Sequence, residues 1–110
     1  MKAPRYHEAA LDELLTEVGY LELRAKGLGR RFLEEVRRAE RLIARFPGAG
    51  EEVRPGIRKR LLRQFRYSLI YSVEPEEPLI LAIAHHSRRP GYWIGRVSSG
   101  GPEAEGGQTS

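Results

Sequence analysis

His85, His86, Arg88, Arg89, Tyr92 and Trp93 follow one another within nine residues of this 110-residue chain. Those side chains suit proton and phosphate chemistry. Cutting RNA without a metal needs a group to take the 2′-hydroxyl proton, cations to stabilise the crowded phosphate, and an acid for the leaving oxygen. An imidazole titrating near about pH 6.5 can carry that proton, so His85 or His86 is a candidate acid or base. Arg63, Arg66, Arg88 and Arg89 are candidates to clamp phosphate, and Tyr92 or Trp93 to stack on a base. A second cluster lies upstream, where residues 54 to 66, RPGIRKRLLRQFR, hold Arg54, Arg58, Lys59, Arg60, Arg63 and Arg66 and no acid. Such a clustered field attracts phosphate-rich or acidic partners more than a dispersed one does.

The charge is unevenly placed. Residues 1–53 carry ten basic and ten acidic side chains, whereas residues 54–96 carry nine basic and three acidic, a local net of +6 within an overall +4. Sixteen of the 19 cations are arginine, the residue suited to bidentate recognition of phosphate or carboxylate. The absence of cysteine removes disulfides, thiolate nucleophiles and cysteine-based zinc sites. Three histidines, His7, His85 and His86, make no recognisable zinc pattern, and no glycine motif cradles phosphate, so neither metal nor cofactor is expected. No run is long enough to span a membrane, and the amino terminus lacks the apolar core of a signal peptide, which points to a cytoplasmic protein.

The elements that must position these groups read clearly. In Glu8–Arg24, Leu11, Leu14, Leu15, Val18 and Leu21 recur at three- and four-residue spacings and predict an amphipathic helix, with Asp12, Glu13 and Glu17 weighting its first turns and Gly27 placed to end it. Leu28, Phe32, Val36, Ala39, Ile43 and Phe46 predict a second helix over Leu28–Arg45, stopped by Phe46-Pro47-Gly48. The two form a helical hairpin covering a sheet. Ile57–Gln64, Tyr67–Glu74 and Leu79–His86 are predicted strands, the last apolar on both faces and therefore the most buried, and Lys2–Tyr6 is a candidate edge strand. Residues 98–110 have no apolar side chain larger than alanine and are expected to be a disordered tail behind a single domain, 1–97.

Strand alternation tempers the site. It sends His85 and His86 to opposite faces, so at most one of them meets the basic surface. Tyr67 and Tyr71 share a face with Leu69 and Val73 and read as core. Pro90-Gly91 reads as a turn. A helix-turn-helix reader is disfavoured, because the cations concentrate on a strand and a loop.

The helical hairpin ending in Phe46-Pro47-Gly48, the strand Tyr67-Ser68-Leu69-Ile70-Tyr71 and the stretch Ala84–Trp93 together resemble the RelE/ParE superfamily of bacterial toxins, including plasmid stabilisation proteins, over roughly residues 4–96. The resemblance implies an α+β fold with an N-terminal helical hairpin on a three- to four-stranded antiparallel sheet. It also implies a toxin encoded beside an antitoxin, whose extended or helical segment wraps and neutralises it. RelE-type members cut messenger RNA on the ribosome without metal; ParE-type members inhibit DNA gyrase. Fold cannot choose between them.

Carried over by position, Arg88 falls near a phosphate-contacting arginine of the RelE type and Tyr92 near its late tyrosine. Where those nucleases carry a catalytic arginine, directly after the strand tyrosine, this chain has Ser68. That departure favours gyrase inhibition. If the chain is instead a nuclease, His86, Arg88 and Tyr92 are its catalytic residues. In either case Arg58, Lys59, Arg60, Arg63, Arg66, Arg88, Arg89 and Trp93 are the expected target- or RNA-binding set. The expected partners are a cognate antitoxin and either gyrase or the ribosome with its mRNA, with a homodimer or a toxin–antitoxin hetero-oligomer as the assembly. A non-toxic basic RNA-binding module is a further reading of the same charge.

Overall fold

The computed structural model describes residues 3–100. Helix α1 spans Glu8–Arg24 and α2 spans Leu28–Arg45, the predicted bounds. His7 caps α1 by accepting the Ala9 N–H at Nδ1, 3.0 Å away. The turn between the helices needs Gly27, whose φ of 85° is a left-handed conformation that costs glycine little. As a glycine, Gly27 cannot cap α2 with a side chain. The Glu22 carboxylate does so from α1, accepting the N–H groups of Gly27 (2.9 Å) and Gly29 (3.0 Å). A Cβ at Gly29 would lie 2.5 Å from the Val18 carbonyl oxygen, so the helices can approach this closely only with glycine there.

Five strands follow the order β1-β5-β4-β3-β2: β1 is Arg5–Tyr6, β2 Glu51–Arg54, β3 Ile57–Leu61, β4 Tyr67–Ser72 and β5 Leu79–His85. A short 3-10 turn, Pro47–Ala49, precedes β2, and a third helix, α3, covers Ile94–Gly100. The α+β class and the helical hairpin stand. The sheet is larger than the three or four antiparallel strands expected, and β1 runs parallel to β5, pairing at Leu79 and Ile80. Two residues of β1 suffice; of the longer candidate, Lys2 lies outside the described residues. Strand β2 escaped notice because Glu-Glu-Val-Arg has neither alternation nor strand propensity. It forms because it is an acidic edge laid against basic β3, with Glu51 opposite Lys59 and Glu52 opposite Arg58. Helix α3 runs across the expected boundary at residue 97, and residues 101–110 of the expected tail lie outside the described residues.

The sheet is buried on both faces, unequally. Toward the hairpin, Ala10, Leu14 and Leu21 of α1 and Phe32, Val36, Ala39 and Ile43 of α2 pack on Leu62, Tyr67, Leu69, Tyr71, Ile80 and Ile83. Tyr67 and Tyr71 are core, as alternation predicts. Val73, expected beside them, lies past the end of β4 and is 41% exposed. The α1 stripe is also rotated from its expected line: burial centres on Ala10, Leu14 and Leu21, leaving Leu11 and Leu15 exposed on its shoulder. The opposite, outer face has a smaller cluster of Ile57, Ile70, Leu81, Ala82 and Trp93. No helix among the described residues is long and apolar enough to cross a membrane.

Candidate functional site

The outer face opens into a cleft of about 530 Å³ between the sheet and the segment leading into α3. Ser68 and Ile70 form its floor, Lys59 and Arg54 one side, and His86, Arg88, Arg89 and Tyr92 the other. Two connections meet at its end, where the His86 N–H donates to the Arg66 carbonyl (2.8 Å) and sets the β3–β4 loop beside the β5–α3 segment. Arg88 and Arg89 line this cleft, Arg66 lies on the adjoining loop, and all three are exposed. The histidines part as alternation predicts. His86 Nε2 lies 3.0 Å from the hydroxyl of buried Ser68, on the cleft side. His85 turns edge-on to Tyr67, with ring centroids 4.9 Å apart, and its Nδ1 pairs with Ser87.

The basic run does not form one surface. Lys59 shares the outer face with Ile57, whereas Arg58 and Arg60 are opposite Tyr71 and Leu69 and point to the hairpin side. Arg58 donates to the Gly50 carbonyl at 2.7 Å, and Lys59 pairs with Glu51 at 3.8 Å. Arg63 and Arg66 lie beyond β3, in an exposed loop where Gln64 adopts a φ of 67°. Period-two geometry divides the six cations, and an acid from β2 pairs with one of them, Lys59, which the run read alone could not reveal.

Trp93 is also placed differently from its expected base-stacking role. It is 6% exposed and packs with Ile57, Ile70, Leu81 and Ala82, supporting the cleft from beneath. Tyr92 is half-buried. Its hydroxyl donates to Glu13 Oε2 at 2.9 Å, and the Arg88 guanidinium lies over its ring, 3.9 Å from the centroid. Burial and the Glu13 carboxylate push the Tyr92 hydroxyl up to about 12.

Two residues that sequence reasoning missed hold this side together. Beyond Ile80, β5 has no further partner in β1, and side chains satisfy its edge. Glu13 Oε1 accepts the Ile83 N–H (3.0 Å), and Arg96 Nη1 donates to the Leu81 carbonyl (2.8 Å). The two side chains also form a bidentate pair at 3.0 and 2.8 Å. Burial by itself would raise the Glu13 carboxyl, but donation from Arg96, Ile83 and Tyr92 prevails and holds it below the ordinary carboxylate value. Hydrogen bonding to Glu13 raises Arg96 in turn, against the opposing effect of burial. The sequence signal was an acid placed between Ala10, Leu14 and Glu17, on the inward flank of an amphipathic helix.

No cluster of three or more His, Asp or Glu side chains able to hold a metal ion occurs among the described residues. A two-helix hairpin packed on one face of a mixed five-stranded sheet is a small α+β fold of the RelE/ParE-like class. The family model described as "ParE toxin of type II toxin-antitoxin system, parDE" matches residues 5–90, and the chain belongs to that family. A solved structure entitled "Chromosomal ParDE TA system from P. aeruginosa" superimposes with a TM-score of 0.63 at 19% identity, covering 77% of this chain and 96% of the other, and has the same fold. No curated protein matches the chain. The protein is therefore the toxin component of a type II toxin–antitoxin pair, and a cognate antitoxin is its partner.

Proposed function

We propose that this toxin acts in the cytoplasm by inhibiting DNA gyrase and does not cut RNA. The observation that carries the reading is the state of the groups a nuclease would use. At the position following Tyr67, a buried serine, not an arginine, faces the cleft and is hydrogen-bonded to His86. The Tyr92 hydroxyl is held by Glu13, and Arg88 is stacked on the Tyr92 ring. The proton carriers and the nearest cation are thus engaged with one another and with the scaffold.

In this reading Arg88 and Arg89, with Arg66 on the adjoining loop, act as an exposed cationic rim that meets the target. His86, Arg88 and Tyr92 have no chemical step to perform. The test is the purified chain in two parallel assays, DNA supercoiling by gyrase and cleavage of ribosome-bound mRNA without added metal. Inhibited supercoiling with intact mRNA is expected, and the inhibition should weaken when Arg66, Arg88 and Arg89 are replaced by alanine. Site-specific mRNA cuts that disappear in His86→Ala would overturn the reading.

A further inference from the structure

On the hairpin side, away from the cleft, Arg60 faces α2 from the middle of β3, a position where its neighbours are apolar core. Its partner across the sheet is Leu69, which is fully buried. The Arg60 Nε–H is buried, with no hydrogen-bond partner among the described residues. The groove between α2 and β3 into which it faces is also lined by Arg38, Arg63, Leu42, Leu61 and a single acid, Glu35. Glu35 is engaged by Arg38 at 3.4 Å, and neither Arg60 nor Arg63 has an ion pair among the described residues.

We propose that this groove is a carboxylate-binding site that takes an acidic residue, flanked by apolar side chains, from a segment of the cognate antitoxin. The proposal rests on the toxin–antitoxin assignment. A guanidinium presents Nε and one Nη along a single edge, a fork that meets both oxygens of a carboxylate, and here that edge contains the unpartnered donor. Arg63, exposed at the rim, adds a second cation. Leu42 and Leu61, the latter 60% exposed, supply apolar walls suited to a protein segment. A nucleic-acid backbone is a poorer fit, because its successive phosphates offer nothing to those walls.

The test measures affinity between the full chain and the purified product of the adjacent antitoxin gene, by calorimetry over a salt series. Removing one member of a desolvated charge pair at an interface weakens binding by about 30-fold or more, the effect expected of R60Q. R60K should recover part of it, because the charge returns without the fork. Circular dichroism checks that R60Q folds. Should it not, R63Q on the exposed rim carries the test, with up to about fivefold weaker binding and a shallower salt dependence expected. Unchanged affinity in R60Q or R63Q, with tight wild-type binding, would overturn the groove and leave the toxin assignment standing. No binding by the wild type would count against the toxin–antitoxin partnership itself. Competition by short single-stranded DNA that both variants abolish would reassign the groove to nucleic acid.

Discussion

The two faces of the sheet differ in what closes them. Toward the hairpin, two helices seal a continuous core in which Phe32, Val36, Leu69, Tyr71 and Ile80 are at most marginally exposed. On the outer face, a five-residue cluster that includes Trp93 gives way to a cleft lined by cations and a serine–histidine pair. The hairpin face therefore holds the fold together, and the outer face holds chemistry in place. The difference arises from cover. Two long helices remove one side from water, whereas the segment from Pro90 through α3 reaches only part of the other.

Truncating the core on each side breaks the comparison most directly. Phe32→Ala, which removes a ring touching both Phe65 and Tyr67, is expected to cost about 4 kcal/mol in urea unfolding. Trp93→Ala should cost about 3 kcal/mol, less because its cluster is smaller and partly open. Equal costs would mean that the faces share the stability evenly.

Next in size is the link that pins α3 to the hairpin. Glu13→Gln is expected to cost about 2 kcal/mol at neutral pH, since it strips the charge from a carboxylate that accepts four hydrogen bonds. The pH dependence has a defined sign. Because the folded carboxyl titrates below its unfolded value, its contribution is complete above about pH 4.3 and is lost as the pH falls through the lowered folded value. Unfolding of the wild type across acid pH should therefore converge on that of Glu13→Gln; parallel curves would show that Glu13 does not provide this acid sensitivity.

Smaller still is Ser68→Ala. It frees exposed His86 to water and should cost about 0.5–1 kcal/mol while leaving gyrase inhibition intact. Loss of inhibition with full stability would assign the pair to the target contact. At the bottom of the scale, replacing Arg88 and Arg89 together by alanine should change stability by less than about 1 kcal/mol, the Arg88–Tyr92 stacking included. The same double variant is expected to weaken inhibition. Supercoiling and melting measured on one preparation separate the two effects.

The helices, the three meander strands and the core assignment of Tyr67 and Tyr71 were legible because they are periodic: burial at 3.6 or 2 residues per repeat leaves its mark on every turn or pair. The opposed histidines followed from the same rule. Strand β2 and the parallel direction of the expected edge strand β1 left no such mark, since the pairing of a two- or four-residue edge strand is set by its neighbour's open hydrogen bonds and not by its own side chains. Glu13 and Arg96 lie 83 residues apart, and no local pattern joins them. By itself the sequence determined the helical hairpin, the α+β class and the excess of cations in the second half. Which face each cation meets, which of them acids neutralise, that Trp93 is buried in the outer cluster beneath the cleft, and that Arg60 is left with a buried donor were decided by tertiary structure alone. Charge is carried by composition, but its pairing and exposure depend on which strands become neighbours.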